Sequence, residues 1–553
     1  VYYRPYPLAN SASIAIHSDQ EFADAAAYYG WEGDGSFVDP YVIDDLTIDG
    51  QMFGYCLQIW NTESHFVVRN CTFYMGVTLA YGKAVDLQDV YNGHFEECTF
   101  LGDMDRGLSL ITGQIDVVDC LFDGPMLYGL FVSDCIVAVS DCTFNSSYCG
   151  LNIESSMYIM AERDLFLNCS SAIIIWNTDS AVVRDNEIHG GNAIQIAGSS
   201  DCLVENNLGV GVYEFFYSSQ SNWVTLRDNT ANGTMMSRGA YSSFGAAVLF
   251  ENNTFSGFDT GMQGYGTLDL AMRNNTLFEN RIGIRLEQVI TGDVSGNIIR
   301  DSLEHGLEVR RSNEDVLVTL NSFTDNLGFA ISCEVELSSA TIYLNHFQGN
   351  NLNDGTFTYE TAQARDLYGI LYWELDGLGN HWADWTSPDA DGDGIVDEPY
   401  IWDDFPLVHP FGAPTGLDRT VGPDFVNLSW SGLNYDFSEG VDGYRVYRGL
   451  SPEDLEFIGS TGNMWYNDTS VALGTTYYYR VSAYVGAEEG ALSYLISAIP
   501  CDVPGAPTEL LVVADLRSFH LSWTAPSDNG GSLILGYNIW RGASPTSLDL
   551  FDV

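Results

Sequence analysis

Apolar and polar residues alternate in short runs along the first two thirds of the chain, broken by Gly, Asn, Asp and Ser. A period of two with such punctuation predicts strands and tight turns rather than helices. The runs are also copies of one another. LFENNTF at 249–255 returns 22 residues later as AMRNNTL, and the same phrase is legible as VVRNCTF, HFEECTF, AVSDCTF, VVRDNEI, LVTLNSF and TIYLNHF. Aligned on its fixed polar residue, the repeat runs Cys71, Cys98, Cys120, Cys142, Asp164, Asn186, Asn207, Asn229, Asn253, Asn275, Asn297, Asn321, Asn345, with steps of 21 to 24 residues after the first interval. A second apolar stretch follows in most units, as in GLFVS, AIIIW, GIRLE and GLEVR. Two or three short strands per unit of this length predict one coil of a parallel β-helix, because helical solenoids need longer periods.

Stacked coils put each residue about 4.8 Å above its equivalent. An inward Asn can then pass amide hydrogen bonds to the Asn of the next coil, and Cys fills the same slot as a small apolar substitute. Cys71, Cys98, Cys120 and Cys142 are expected to be buried free thiols. Parallel Cβ vectors nearly 5 Å apart are too wide for an unstrained disulfide, and four thiolates in a row cannot surround a tetrahedral ion. At the amino-terminal end, SDQEFADAAAYYG reads as a helix with Ser18 and Glu21 as its capping box and Gly30 as its stop. Its expected role is to cover the open end of the stack, whose sheet edges are otherwise exposed.

From Ala413 the strands lengthen and a different repeat begins. APTGL at 413 returns as APTEL at 506, Trp430 as Trp523, and YRVYRGLSP as YNIWRGASP, each displaced by 93 residues. These tandem segments resemble fibronectin type III domains, with an early core tryptophan and Tyr477 as the corner tyrosine. The counterpart of Tyr477 falls at position 570, past Val553. The second module is therefore expected to be completed by further chain or by strands of another subunit, with Val1 to Ile16 a candidate donor.

Composition narrows the choice of partners. There are 75 Asp plus Glu against 21 Lys plus Arg, a formal charge of -54, and Lys83 is the single lysine. Nucleic acid and anionic membranes are unfavourable partners for such a surface, and no apolar run is long enough to span a bilayer. Eight N-x-Ser/Thr sequons, at Asn70, Asn145, Asn168, Asn232, Asn252, Asn274, Asn427 and Asn467, suit a glycosylated exterior protein. The eleven cysteines do not fix the compartment, since an odd number cannot all pair within one chain.

The opening WEGDGSFVDPYVIDDLTIDG, the Asn coils and the closing GNHWADWTSPDADGDGIVDEPYIWDDFPL together resemble the NosD-like parallel β-helix repeat proteins common on archaeal surfaces. The likeness covers residues near 14 to 410. It implies a right-handed β-helix, secretion, and fusion to adhesive modules. No cluster of Cys, Met and His accompanies it, so copper is not carried over. The expected organisation is an extended segment and capping helix (1–33), the parallel β-helix (34–388), a calcium-binding loop and closure (389–411), and fibronectin type III modules at 412–501 and 504–553.

The loop is the sharpest chemical signal. In DADGDGIVDEP, Asp389, Asp391 and Asp393 stand at positions 1, 3 and 5 of an EF-hand-like loop, Gly394 at 6, the Ile395 carbonyl at 7 and Asp397 at 9. Position 12 is Tyr400, so Glu398, Asp384 and Asp403 are the candidates for the missing acid. The predicted metal ligands are Asp389, Asp391, Asp393, Ile395, Asp397 and Glu398, and the ion Ca2+, in a structural role that fastens the last coil. The alternative is an acidic, Gly-rich turn without an ion.

A polysaccharide lyase or hydrolase is the competing class, since β-helices host such enzymes, but fold alone does not assign activity. Glu304 and Glu308 are expected as chance neighbours, Arg310-Arg311 reads as isolated, and His189 and His305 read as turn residues. Trp60 and Trp176, in matching IWNT phrases, are expected to stack or pack rather than bind sugar. The sequence therefore predicts a secreted, non-catalytic structural or adhesive surface protein. It is expected to associate with itself or with other surface proteins, with glycans as further possible partners.

Overall fold

The computed structural model describes residues 12–50, 53–75, 82–311, 313–334, 338–352, 361–390, 394–433, 441–486, 488–515, 518–531 and 533–552. The chain divides into two compact units, one of residues 1–391 with 395–407 and one of 392–394 with 408–553.

The first unit is a parallel β-helix. Its strands form a 26-stranded and a 15-stranded sheet, with parallel pairing from coil to coil. The larger sheet carries two ladders that long strands such as Met126–Ser140 join without a break. The smaller sheet is built from short strands of mostly three residues, one per coil, such as Thr143–Asn145 and Thr254–Ser256.

Each word of the repeated phrase has a structural use. The residue before the anchor is in the left-handed region in coil after coil, with φ between 49° and 58° from Asn70 through Glu97, Asp119 and Asp185 to Asn274. Asn and Asp tolerate that conformation better than other L-residues, which explains their frequency there. The anchor then points inward, the next residue outward, and the apolar residue after it inward again. Phe73, Phe100, Phe122, Phe144 and Phe166 occupy that last position and stack with ring centroids 5.2, 4.4, 4.7 and 4.9 Å apart.

The anchors form the expected column. Asn253 donates from both its backbone N–H (2.9 Å) and Nδ2 (3.0 Å) to Oδ1 of Asn275, which does the same toward Asn297. Nδ2 also donates to a carbonyl of the coil behind, as from Asn253 to Leu226 O at 2.8 Å. The pattern is unbroken from Asn186 to Asn345, and every rung is buried. Cysteine rungs reproduce half of it. The Cys142 thiol donates toward the Ser140 and Val117 carbonyls, the positions that Nδ2 uses in Asn207 toward Glu205 and Val183. Cys71, Cys98, Cys120 and Cys142 are free and buried. The adjoining Cys98 thiol and burial together hold the Cys71 thiol well above its ordinary range, so the thiolate needed for reactivity is suppressed.

The amino-terminal helix spans Asp19–Tyr29, with Ser18 accepting from the Glu21 N–H and Gly30 closing it at φ 76°. The Glu21 carboxylate takes the His17 N–H instead of completing a box with Ser18. Phe22 is fully buried and stacks on Tyr41 at 4.8 Å, so the helix seals core side chains of the first coils. Strand Ile14–Ile16 precedes the helix and pairs in parallel with Leu57–Thr62, so the stack starts upstream of residue 34. Within the described residues the opening segment thus lies along the first coil; Val1 to Ser11 fall outside them.

The second unit holds a two-sheet antiparallel sandwich of the fibronectin type III kind. A three-stranded sheet (Asp418–Val421, Val426–Ser429, Trp465–Asp468) and a five-stranded sheet centred on Gly443–Ser451 and Tyr477–Val485 enclose Trp430, Val446, Tyr479 and Val481. The Tyr477 hydroxyl accepts the Ala472 N–H at 3.0 Å, the tyrosine-corner bond. Trp430 meets Tyr444 edge-on at 5.3 Å, and the displaced pair Trp523 and Tyr537 does so at 5.1 Å.

One rung of the column is mismatched. Asp164 accepts the Cys142 N–H at 2.8 Å through Oδ1, while its Oδ2 is buried without a hydrogen-bond partner. Burial pushes its carboxyl up to about 8 from an ordinary 3.8. Between those values the folded chain holds a proton that the unfolded chain has released, so stability falls as pH rises through that window. Asp164→Asn should therefore stabilise the coils around 142–186 by on the order of a few kcal/mol at pH 7.5 and very little near pH 4.5. Hydrogen exchange at the two pH values checks this; equal effects at both would contradict it.

Candidate functional site

The carboxy-terminal end of the β-helix concentrates the titratable groups that the sequence singles out. The amide column does not stop at Asn345. Asn345 donates from N and Nδ2 to Asn380 Oδ1 (3.0 and 2.9 Å), and Asn380 donates in the same way to Asp403 Oδ2 (2.7 and 3.2 Å). Trp382 Nε1 adds a third bond to that oxygen at 2.8 Å, and Phe405 N–H reaches Oδ1 at 3.1 Å. A carboxylate has no N–H to pass onward, so Asp403 terminates the column as a pure acceptor.

A second column runs beside the first. Asn280, Asn326 and Asn350 each stand five residues after a primary anchor, and Asn326 and Asn350 hand their bonds upward to Gln363. Gln363 Nε2 then donates to Asp384 Oδ1 at 2.6 Å. This column also ends on a carboxylate. Tyr400 ties the two ends together: its hydroxyl accepts the Gln363 N–H at 3.1 Å and donates to Asp384 at 3.3 Å, while its ring stacks on Trp382 at 4.0 Å. Trp382 in turn lies 4.3 Å from Phe347, which continues the inner aromatic stack. Burial raises both carboxyls, that of Asp403 to about 6, and raises the Tyr400 phenol.

This arrangement decides the use of two residues considered for the acidic loop. Asp384 and Asp403 close the columns, and Tyr400, at the loop's twelfth position, is buried in the core. Asp391 and Asp393 lie outside the described residues. Of the other predicted ligands, Asp389 is half-buried, Asp397 is exposed and accepts the Ala390 N–H at 2.9 Å, Ile395 bridges Leu407, and Glu398 has an exposed side chain with its carbonyl bonded by Trp385 Nε1. Gly394 has φ 90°, the left-handed backbone that the sixth loop position requires of glycine. Among the described residues no three His, Cys, Asp or Glu side chains group together as a metal site.

Other residues stand differently from what the sequence predicts. Arg310 and Arg311 are not isolated. Glu308 sits between Arg285 and Arg310, each at 2.7 Å, and Arg311 pairs with Glu287 at 2.6 Å. Glu287, Glu308, Arg310 and Arg311, with Ser332 and Glu334, line an open cleft of about 370 Å³. Glu304 belongs to a different group, paired with Arg281. His305 begins strand His305–Arg310 and is half-buried, with burial lowering its pKa; His189 ends strand Glu187–His189. Strand register brought these residues together across coils, which spacing along one coil could not reveal. Trp60 packs against His17 at 5.0 Å, whereas Trp176 is 51% exposed, contrary to the expected packing.

Comparison with known proteins agrees with this geometry. The family description "Right handed beta helix region" matches residues 107–242, and "Periplasmic copper-binding protein (NosD)" matches residues 189–387. The chain is a parallel β-helix repeat protein. Exoglucanase B of Cellulomonas fimi is 32% identical over 141 residues, 24% of this chain and 12% of that protein. A kelch domain-containing protein of Saccharolobus solfataricus is 34% identical over 129 residues, 23% of this chain and 17% of that one. The β-helix repeat protein thus spans less than a fifth of either relative. Among solved structures, an Fn3-like protein from Clostridium thermocellum is 28% identical, covering 17% of this chain and 95% of that one with a TM-score of 0.15.

The closing carboxylate carries a test. Asp403→Ala strands four donors, two of them on Asn380, and should destabilise the closing coil by roughly 3–5 kcal/mol. Hydrogen exchange should show protection lost first at Asn380 and Asn345; protection lost evenly along the stack would contradict the terminating role.

Proposed function

We propose that this β-helix repeat protein is a non-catalytic structural component of the cell exterior, a surface layer, fibre or adhesive stalk subunit, with a structural calcium ion. The observation that carries the proposal is the buried amide column from Asp164 through Asn380 to Asp403. Eleven rungs about 4.8 Å apart give a stiff stack, and the Asn and Asp side chains of the column are taken up in holding it together. The likeness to surface β-helix proteins and the fibronectin-type module support the same reading. So do the sequons: the Asn is exposed at seven of the eight and half-buried at Asn145.

Calcium is proposed at Asp389, Asp391, Asp393, the Ile395 carbonyl, Asp397 and Glu398. The left-handed Gly394 and the carboxylate alternation support a hard cation with oxygen ligands. The ion would neutralise clustered carboxylates in a chain of net charge -54. Such a protein would associate with copies of itself or with other surface proteins. The second reading, a carbohydrate-active enzyme, has one observation in its favour, the cleft holding Glu287 and Glu308. Their bonds to Arg285, Arg310 and Arg311 suit paired structural charges equally well.

Calorimetry and thermal unfolding separate the readings. Calcium should bind once and raise the melting temperature of the closing segment, with about 2.7 kcal/mol of stabilisation at a hundredfold excess over Kd. Asp389→Asn with Asp397→Asn should abolish that shift. No reducing sugar should be released from acidic or neutral polysaccharides. Release that is lost in Glu308→Gln would overturn the structural reading in favour of the enzyme.

A further inference from the structure

One face of the β-helix differs from the rest of this acidic surface. Strands Met157–Glu162, Asp179–Arg184, Ser200–Glu205, Asn222–Arg227, Ala246–Glu251 and Leu268–Arg273 lie in parallel register on six successive coils. Their central outward residues are Met160, Val182, Leu203, Thr225, Leu249 and Ala271, a nearly apolar stripe that is only half-buried. On one flank, at the strand starts and the corner before them, Tyr158, Trp223 and Phe244 are 65%, 62% and 57% exposed, among Ser180, Asp201, Ala247 and Asp269. On the other flank the last residue of each strand forms a rail.

The rail alternates in sign on every rung: Glu162, Arg184, Glu205, Arg227, Glu251, Arg273. Within the chain, Arg184 grips Glu162 and Arg227 grips Glu205, each through two nitrogens at 2.6–2.8 Å, while Arg273 turns to Asp293 at 2.7 Å. Three acids and three arginines sum to zero. The opposite flank carries three exposed acids, Asp179, Asp201 and Asp269; on a chain of net charge -54, a face with its rail charges cancelled is still where a second copy meets the least long-range repulsion.

We propose that this face is an isologous interface with a second copy of this chain, lying antiparallel. A two-fold axis across the face, perpendicular to the β-helix axis, lays rail on rail with the order reversed. Reversing an alternating series of even length inverts every sign. Glu162 then meets Arg273 of the second copy, Arg184 meets Glu251, and Glu205 meets Arg227. The stripe matches under the same operation, Met160 facing Ala271, Val182 facing Leu249 and Leu203 facing Thr225. A parallel copy would instead set the charged rail against the aromatic corner. Six rungs span about 24 Å, and with the corner the patch is on the order of 500–600 Å². That exceeds scattered surface apolar area and approaches the roughly 800 Å² that each partner gives to a stable interface.

The inference rests on the structural reading above, and its test is separable from that one. Sedimentation of the full chain at micromolar concentration and physiological salt should show a dimer, with or without chelator. Leu203→Asp with Leu249→Asp should weaken it by roughly 30-fold or more while leaving the circular dichroism melt near that of the parent. Arg227→Glu should weaken it as well, and adding Glu205→Arg should restore it, because these two positions face each other across the axis. Spin labels at Met160 should lie about 25 Å apart, five rungs of offset combined with the sheet spacing. A monomer at all concentrations, a dimer indifferent to the aspartates, or a charge swap that fails to restore association would overturn the interface. A monomer that still takes up calcium and releases no sugar would remove the interface alone and leave the structural reading standing.

Discussion

The structure depends on one buried side-chain amide per coil that both accepts and donates along the stack. A parallel β-helix coil must turn corners, and corner backbone leaves N–H and carbonyl groups that sheet pairing does not use. Buried without partners, each would cost about 1–3 kcal/mol. An inward Asn satisfies an N–H of the coil behind with Oδ1 and a carbonyl there with Nδ2, and its own backbone N–H is satisfied by the next Asn. Supply and demand balance only while another rung follows. The ends are therefore the points of greatest constraint, and the chain meets that constraint with carboxylates at Asp403 and Asp384, which accept without needing to donate.

This explains several features that otherwise look unrelated. The left-handed corner residue is needed to aim the anchor inward, so Asn or Asp commonly precedes it. The phenylalanine stack stands two residues later because the strand that leaves the corner alternates. Aromatic rings close the stack where amides run out, with Trp382 between Phe347 and Tyr400. The outer faces are then free of structural duty. Charge sorts there by register, giving the paired arginines of the cleft at Glu308 and the alternating rail at Glu162 to Arg273.

Much of the column was legible in the sequence, because a period-two strand pattern repeating every 21 to 24 residues leaves few folds. Asn253 and Asn275 stand one above the other as the repeat requires. The sandwich was legible too, through Trp430 and Tyr477. What escaped were features in which the repeat stretches. Asn380 stands 35 residues after Asn345, so that rung breaks the period of 21 to 24 residues. The second amide column was hidden because only Asn280, Asn326 and Asn350 show it, with Phe258 and Ser302 at neighbouring coils. The acidic loop was read from local spacing, which placed Asp384 and Asp403 among candidate ligands; their actual partners are remote in sequence and follow from topology. Outward columns leave no such mark, since a strand's solvent face has no hydrophobic period to betray it.

The account turns on the claim that the amide column, more than the apolar core around it, fixes coil on coil. Native-state hydrogen exchange on Asn275→Ala tests that most directly. The substitution removes the acceptor of both Asn253 donors and one of the two donors to Asn297, while filling the slot with an apolar group. The account predicts that protection collapses over the coils of Asn253, Asn275 and Asn297 and persists in distant coils. Unchanged protection at Asn253, with stability altered only by the small loss of buried volume, would contradict it.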